Sequence, residues 1–298
     1  MKYFDLHCDT LTKLYDELLT FDNKETHVNR SEVFSFEKYR QVFAIWSNPE
    51  YHPNEGFERF CNIADNINSF KIPQKGSILA VEGADILNGK IERLDMMYAK
   101  GVRLLTLMWK GRTCIGGSYD TDYPLDRFGA AVLRHCFHLD IVPDLSHASD
   151  RTFFDCIPWA EKAGKPLIAS HSNSRNIFNH PRNLTDEMFG IIRDLGGIVG
   201  ISLYPHHLCE GKCTVDDVLR HIEHYIMMDG ENTVCLGCDF DGIEVTPTDI
   251  PSVRFITNLA YEMEKRGYGK ILIDKIFYDN ANNFFEKHIT PAKAWCDN

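Results

Sequence analysis

Short runs of mostly apolar residues recur along the whole chain, and each is about as long as a β-strand. Such runs suit parallel strands, because a parallel sheet covered by helices buries both faces of every strand. The runs predict eight strands, at Tyr3–His7, Val42–Trp46, Ser77–Val81, Val102–Leu107, Ile141–Asp144, Pro166–Ser170, Gly197–Leu203 and Val234–Cys238.

Helical patterns fill most of the gaps between these runs, and two of them begin at good N-cap residues, Asp126 and Ser149. The predicted helices span residues 54–68, 86–100, 126–139, 149–163, 185–195, 214–228 and 253–266. Strands that alternate with helices over 298 residues predict an α/β fold, a TIM-type (β/α)₈ barrel that forms one domain over residues 1–298. Residues 270–298, with helices at 271–278 and 281–288, are expected to form a C-terminal helical extension packed on the barrel.

The chain is acidic, with a net charge of −11 and a pI of about 5.6. These values argue against nucleic acid and anionic membranes as partners, since both attract basic patches. No apolar stretch approaches the roughly 18 residues of a membrane span. Asp5 and His7 interrupt the segment where the apolar part of a secretion signal would run. We therefore expect a cytoplasmic protein without a membrane partner.

Ten cysteines are scattered along the chain without the regular spacing of a disulfide framework. In a chain of this size we expect them to be reduced thiols. Two pairs are close in sequence, Cys209 with Cys213 and Cys235 with Cys238. Their spacing alone favours ordinary thiols over a structural zinc site, and Cys238 is expected to be a small buried residue on a strand.

Polar side chains capable of chemistry follow several predicted strands, at the end of the barrel where active sites form. His7 and Asp9 are two residues apart on a segment expected to be extended, so their side chains should point the same way. An imidazole and a carboxylate so placed can chelate one divalent metal ion. The alternative is a polar strand end at which Asp9 caps a helix that begins near Leu11.

Three further strand ends carry groups of the same kind. Glu82 directly follows a buried run, where a carboxylate is unfavourable unless it is paired, ligates a metal or turns out to water. His147 and His171 end the fifth and sixth strands, and each taken alone could be a hydrogen-bonded core histidine. Asp239 follows the eighth strand and could be a ligand or an acid–base group. We interpret Asp241, which precedes Gly242, as part of a plain turn.

Together these side chains predict a metal site at one barrel mouth. Four protein ligands suffice for one zinc ion, whereas five ligands that include a central Glu suit two ions sharing a bridging carboxylate. Two adjacent ions can hold a hydroxide between them and polarise a carbonyl group. The chain has no G-x-S-x-G, Walker A or G-x-G-x-x-G motif, so a serine hydrolase or a nucleotide enzyme has no support.

The pattern resembles the membrane (renal) dipeptidase family of zinc peptidases, family M19. The resemblance extends over most of the chain, and its segments occur in the order of the family. The matching segments are Asp5–Thr10, Val81–Asp85, Val102–Leu107, Asp144–His147, Ser170–Arg175, His180–Asn183 and Gly237–Gly242. It implies a dipeptidase with two zinc ions per chain, and relatives in the family tend to be homodimers.

The resemblance also implies a role for each site residue. His7 and Asp9 correspond to ligands of one zinc ion, His147 and His171 to ligands of the other, and Glu82 to the carboxylate that bridges both. Asp239 corresponds to the acid–base group that takes a proton from the attacking hydroxide and delivers it to the leaving amine. Arg182 corresponds to the arginine that binds the C-terminal carboxylate of the substrate.

The sequence departs from the mammalian members after the fourth strand, where Trp109 stands in place of a substrate-binding histidine. A tryptophan donates one hydrogen bond but carries no charge, so stabilisation of the oxyanion would rest on the metals or on Lys110. We nevertheless assign Trp109 to substrate binding, together with Tyr204 after the seventh strand.

Two alternative functions stay open from the sequence. An amidohydrolase-like barrel could cleave another small amide, a lactone or an ester, and such barrels often bridge their metals with a carboxylated lysine, for which Lys110 is the candidate. The position of Glu82 or Lys110 between the metal ligands would distinguish this case from a dipeptidase. A binding protein that holds metal without turnover is the other alternative, and the complete ligand set argues against it.

Overall fold

The computed structural model describes residues 1–290, which form a seven-stranded parallel sheet. The strands follow one another in the order β5-β4-β3-β2-β1-β7-β6, so β1 lies inside the sheet between β2 and β7, and β5 and β6 are its edges. The strands are β1 (Lys2–Cys8), β2 (Lys38–Trp46), β3 (Ile78–Glu82), β4 (Val102–Thr106), β5 (Val142–Asp144), β6 (Val199–Ile201) and β7 (Val234–Leu236).

The predicted strand at Pro166–Ser170 is not a regular strand, but it occupies the eighth position of the barrel. Its Ile168 forms an isolated parallel bridge with Asp144 of β5, and its Ala169 forms one with Val199 of β6. Backbone hydrogen bonds join the segment to its neighbours on both sides. Leu145 N donates to the Ile168 oxygen, and Ala169 N donates to the Ile198 oxygen. The two edge strands are thereby linked, and the predicted TIM-type α/β barrel is confirmed.

Eleven α-helices connect the strands within residues 1–290. They are α1 (Thr10–Asp16), α2 (Arg30–Val33), α3 (Pro53–Asp65), α4 (Glu92–Ala99), α5 (Arg127–Leu139), α6 (Asp150–Ala163), α7 (Asp186–Asp194), α8 (Val215–Met227), α9 (Thr257–Lys265), α10 (Lys270–Asp274) and α11 (Asn280–His288). The predicted N-caps at Asp126 and Ser149 are confirmed, because each side chain accepts a hydrogen bond from the first turn of its helix.

Other helix predictions were incomplete. The helix α1 was foreseen only as the helix near Leu11 that Asp9 could cap, and α2 was not predicted, since it is short and lies in the long β1–β2 connection. The predicted helix at residues 86–100 begins only at Glu92, because left-handed backbone at Asn88 and Gly89 separates it from a 3₁₀ turn at Ala84–Leu87. No helix among the described residues combines the length and hydropathy of a membrane span.

Alternate residues of the strands fill the inside of the barrel. Phe4 and Leu6 of β1 belong to one buried cluster with counterparts from the other strands and from the bridging segment, at Val42, Ala44, Ile78, Ala80, Leu104, Val142, Ile168, Ile198 and Cys235. The C-terminal helices pack against the same cluster through Tyr278 and Phe285. Because Phe4 lies near the start of β1, these helices cover the amino-terminal end of the barrel and leave the carboxyl end of the strands open. Residues 291–298 of the predicted extension lie outside the described residues.

The Phe285 ring is fully buried and stacks on Phe4 with 5.6 Å between ring centroids. We expect Phe285→Ala to lower the free energy of unfolding by about 3–5 kcal/mol, because it removes the ring and leaves a cavity. Ile271→Ala is the control, since Ile271 is 78% exposed and should change stability by no more than about 0.5 kcal/mol. Urea denaturation of both variants measures the difference, and equal midpoints would contradict the packing described here.

Candidate metal centre

Six of the predicted site residues meet at the carboxyl end of the barrel, Asp9 among them directly after β1, and all but Asp239 and His147 are buried. These residues lie at the ends of five different strand positions in the barrel. His7 lies near the end of β1, Glu82 is the last residue of β3, His147 follows β5, His171 follows the bridging segment and Asp239 follows β7. The structure thus brings these strand ends together at one barrel mouth.

The Glu82 carboxylate lies at the centre of the group, with histidines on both sides. Its Oε2 atom is 3.6 Å from Nε2 of His7, whereas its Oε1 atom is 2.9 Å from Nε2 of His147 and 3.4 Å from Nε2 of His171. The two oxygens thus face two different sets of ligand atoms. This is the arrangement expected of a carboxylate that bridges two metal ions.

His7 also faces two aspartates. Its Nε2 atom is 3.4 Å from Oδ2 of Asp9 and 3.8 Å from Oδ1 of Asp239. Asp9 occupies the N-cap position of α1, but its side chain makes no capping hydrogen bond. The capping alternative for Asp9 is therefore excluded, although the residue is not extended as predicted, with φ −96° and ψ 14°.

A β-bulge helps to bring His7 into the mouth. The register of β1 on β2 shifts between Asp5 and Cys8, so one extra residue is accommodated on β1. Phe4 and Leu6 point into the barrel, and strict alternation would turn His7 away from it. A bulge re-aims side chains locally, which explains how His7 reaches Glu82. The sequence offers no signal for this bulge.

His147 and His171 approach each other with 2.9 Å between their Nε2 atoms. His147 has a left-handed backbone, with φ +67°, which is uncommon for a residue other than glycine. Its carbonyl oxygen accepts a hydrogen bond from the backbone N–H of Tyr119, which fixes the turn. The ring of His171 also stacks on that of His7, with centroids 3.9 Å apart.

Burial and mutual charge shift the pKa values of these groups strongly. Burial alone would raise the pKa of Glu82, but His7, His147 and His171 outweigh it and the pKa falls well below its ordinary value. Burial opposes protonation of His7, yet the charges of Glu82 and Asp9 raise its pKa well above the usual range. Burial together with Arg182 lowers the pKa of His147 to about 4. Burial and the charge of His7 likewise lower the pKa of His171. The imidazoles of His147 and His171 are thus kept neutral, as metal ligation requires.

The two aspartates shift in the opposite direction from Glu82. Burial raises the pKa of Asp9 to about 6, with a further contribution from the charge of Glu82. Burial also raises the pKa of Asp239 well above its ordinary value, and the charges of Asp9 and Glu82 add to the effect. Three carboxylates in so small a volume repel one another, and a cation between them would relieve that repulsion.

The donor set fits divalent metal. Two groups of three donors, His7–Glu82–His171 and His7–Asp9–Asp239, each have their ligand atoms within 4.8 Å of one another. Oδ1 of Asp9 is buried without a hydrogen-bond partner among the described residues, so it is free to ligate. Imidazole and carboxylate ligands together suit zinc and related transition metals.

A buried carboxylate that the sequence analysis passed over, Asp144, orients His171. Oδ2 of Asp144 accepts hydrogen bonds of 2.6 Å from the hydroxyls of Thr106 and Ser170, and its Oδ1 accepts from the backbone N–H groups of Ser146 and Ser170. The Ser170 hydroxyl lies 2.7 Å from Nδ1 of His171. Supporting contacts of this kind set the direction in which the other ring nitrogen points. A carboxylate that ends an otherwise apolar buried strand was the signal that could have revealed it.

Asp241 was interpreted as a turn residue, and the structure gives it a wider structural role. Its carboxylate accepts hydrogen bonds from the Thr10 hydroxyl at 2.6 Å and from the backbone N–H of His27 at 2.7 Å. It thereby ties the loop after β7 to the start of α1. Asp9 N also donates to the Phe240 oxygen, while Asp239 N donates to the His7 oxygen. These contacts hold Asp9 and Asp239 at their mutual distance.

Arg182 is 4% exposed and reaches the same region. One of its terminal nitrogens, Nη1, donates a 2.8 Å hydrogen bond to the Ser172 hydroxyl, and its Nε is buried without a partner among the described residues. Burial lowers its pKa, while the charges of Asp239 and Glu82 partly offset this. A buried guanidinium with unused donors can accept an anionic group from a ligand.

A cavity of about 570 Å³ opens above the cluster. Trp46 and Trp109 line it and meet edge to face, with ring centroids 5.0 Å apart. Lys110 is exposed, outside the group of ligand atoms. Tyr204 is half-buried nearby, and burial with the charges of Glu244 and Asp239 raises its pKa.

Comparison with known proteins shows which family model the sequence matches. The model of the membrane dipeptidase family, peptidase family M19, matches residues 54–293. An uncharacterised protein of the pqqA 5′ region in Klebsiella pneumoniae is 33% identical over 213 residues, covering 67% of this chain and 77% of that protein. The dipeptidase aclJ of Aspergillus oryzae is 29% identical over 204 residues, or 64% of this chain. This chain spans about half the length of that dipeptidase and of two uncharacterised dipeptidases of Schizosaccharomyces pombe.

A solved structure is similar over nearly the full length. The crystal structure of dipeptidase AC, a metallopeptidase of family M19, superimposes with a TM-score of 0.88 at 25% sequence identity. The superposition covers 97% of this chain and 98% of the other.

A substitution at Gly242 tests how tightly the side chains of Asp9 and Asp239 are held. A Cβ atom at this position would overlap Oδ2 of Asp9 and lie 2.6 Å from Oδ1 of Asp239. We expect Gly242→Ala to lower the bound metal per chain, and to reduce any turnover by about 10²-fold if the ligands shift by about 1 Å. The control is Gly190→Ala, because a Cβ there meets nothing within 4 Å. Elemental analysis of both variants measures metal content, and unchanged content in Gly242→Ala would contradict the close approach.

Proposed function

The chain belongs to the membrane dipeptidase family, peptidase family M19, and we propose that it hydrolyses dipeptides with two zinc ions held at the barrel mouth. The family resemblance seen in the sequence is confirmed, and the family and its dipeptidase members support a metal-dependent dipeptidase function. The observation that carries the two-ion proposal is the position of Glu82, whose oxygens face His7 on one side and His147 with His171 on the other.

We assign the ligands accordingly. His7 and Asp9 would hold one ion, His147 and His171 the other, and Glu82 would contribute one oxygen to each. When bound, divalent zinc supplies Lewis-acid polarisation of a carbonyl group and lowers the pKa of coordinated water toward about 7. Burial keeps His147 and His171 neutral, as ligation requires, whereas a metal ion beside His7 would have to displace the proton that Glu82 and Asp9 favour there.

Asp239 is proposed to be the acid–base group. It lies 3.8 Å from Nε2 of His7, and burial raises its pKa well above that of an ordinary carboxyl group. A cation bound beside it would favour its ionised form, which can accept a proton from the attacking water and return it to the leaving amine. Its backbone is held in place by the hydrogen bond from Asp239 N to the His7 oxygen.

Arg182 is proposed to bind the C-terminal carboxylate of the dipeptide. The guanidinium is buried, it has donors to spare, and the Ser172 hydroxyl fixes one of its nitrogens. A planar fork of donors matches a carboxylate in two-point contact. Placing that contact beside the metals would select short substrates, whose scissile bond lies next to the free carboxylate.

The other substrate contacts follow from the cavity. Trp109 lines it beside Trp46 and His147, so it can pack on the substrate. Tyr204 is not among the described residues that line this cavity, and its part in substrate binding stays a prediction. Because Lys110 is exposed and Glu82 lies among the ligands, the alternative with a bridging lysine loses its support. The homodimer, the cytoplasmic location and the absence of nucleic-acid and membrane partners stay predictions.

Metal removal tests the function directly. We expect release of amino acids from a panel of dipeptides to be lost on chelation and restored by zinc, since the nucleophile depends on bound metal. His171→Ala should lose activity even with excess zinc, whereas His135→Ala should keep it, because His135 pairs with Asp95 on the surface. Amino-acid analysis of the reactions is the measurement, and full activity of the chelated protein or of His171→Ala would refute the proposal.

The role of Arg182 has a separate test. We expect Arg182→Lys to lower kcat/KM for dipeptides by about 10–100-fold, since a charge-assisted hydrogen bond contributes about 1.5–3 kcal/mol. Dipeptide amides should lose much less, because they lack the carboxylate. Arg266→Lys is the control, because its guanidinium pairs with Asp216 and Glu223 on the surface, away from the barrel mouth. An equal loss on dipeptides and their amides would argue against carboxylate binding.

A further inference from the structure

A second group of metal-binding side chains lies outside the centre described above. The Sγ atoms of Cys209 and Cys213 and a carboxylate oxygen of Asp217 all lie within 4.8 Å of one another. The spacing of the two cysteines alone favoured ordinary thiols. The structure adds a third donor, because α8 begins two residues after Cys213 and brings Asp217 in its first turn back to the pair.

The backbone around each donor is anchored, so the three donors are held close together. Cys209 N donates to the Pro205 oxygen, and the Cys213 oxygen accepts a 3.0 Å hydrogen bond from Thr248 N. The Asp217 carboxylate is fixed by the capping box of α8, where its Oδ2 accepts a 3.0 Å hydrogen bond from Thr214 N. One oxygen of Asp217 is thus used by the helix cap. Its Oδ1 is left with only a distant contact to Arg220, at 3.8 Å.

Charge and burial around the group favour a bound cation. Cys213 is 3% exposed, whereas Cys209 is partly open to solvent. Burial raises the pKa of both thiols, and for Cys213 the neighbouring Cys209 and Asp217 add to the rise. Without a cation the cysteines therefore stay protonated. A divalent ion would replace the two thiol protons, which pass to solvent, and would offset the repulsion among three anionic groups.

We propose that Cys209, Cys213 and Asp217 bind one zinc ion that is separate from the metal centre of the barrel mouth. Two thiolates and a carboxylate are ligands that zinc accepts in tetrahedral sites. The fourth position would be filled by water, on the solvent side of Cys209. The ion would clamp the loop of residues 209–213 to the start of α8. The proposal does not depend on the dipeptidase activity.

Cadmium is the probe for this site, because cadmium bound to thiolate absorbs in the ultraviolet and the ligands assigned at the barrel mouth contain no sulfur. We expect the full chain, reduced and freed of metal, to develop this absorption on titration with cadmium. Cys209→Ser/Cys213→Ser should lose it and should bind one zinc ion fewer per chain than the natural protein. Cys61→Ser, a half-buried cysteine of α3, is the matched control and should behave as the natural protein does.

Asp217→Asn keeps an oxygen for the helix cap but removes the charge, so it should still fold. Its cadmium affinity should fall by at least about tenfold, the lower end of the loss for a group that supports a metal site. The proposal is overturned if the natural protein shows no cadmium–thiolate absorption. It is also overturned if the double variant binds as much metal as the Cys61→Ser control, or if the reduced protein closes a Cys209–Cys213 disulfide in place of taking up metal.

Discussion

The buried carboxylate of Glu82 is the constraint on which the barrel mouth depends. It is 2% exposed and ends β3 between three imidazoles. An ionised carboxylate in such a place is stable only when it is paired or ligates metal. The three histidines must therefore stay within reach of its two oxygens, and they come from β1, the loop after β5 and the segment after Ser170. The curvature of the whole sheet is what brings these distant segments together.

Holding the ligands in place requires strained backbone that the surroundings support. His147 and Asp239 both have positive φ, at 67° and 63°, and such conformations cost about 1–3 kcal/mol each. Each is fixed by a backbone hydrogen bond, from Tyr119 N to the His147 oxygen and from Asp239 N to the His7 oxygen. Asp144 adds a third support, since its carboxylate accepts four hydrogen bonds from Thr106, Ser146 and Ser170, which lie at the ends of neighbouring strands. Two of the residues that would ligate metal or move a proton thus share this left-handed backbone with residues far from the site, such as Leu18 and Asp140.

The sequence predicted the barrel and the members of the site because both depend on local pattern. Apolar runs with polar residues at their ends are enough to place His7, Glu82 and His171 at one face of a parallel barrel. The β-bulge at Asp5–Cys8 escaped prediction, as did the reduction of the predicted strand at Pro166–Ser170 to isolated bridges, since both depend on neighbours distant in the chain. The third donor of the cysteine group was missed for a different reason, because Asp217 is close to the cysteines in sequence but only the turn into α8 brings its carboxylate to Cys209.

The division of roles between two carboxylates follows from their surroundings. Glu82 and Asp239 are both close to His7, and burial pushes the pKa of each upward. For Glu82 the three histidines reverse that effect, so it stays ionised and suited to ligation. For Asp239 the negative charges of Asp9 and Glu82 reinforce it, so it is the group able to exchange a proton. Environments that push the pKa values of neighbouring acids apart are the physical basis of separate ligand and acid–base roles. Without metal, the ionised Glu82 thus favours the protonated form of Asp239, and a cation bound between them would shift Asp239 back toward the form that accepts a proton.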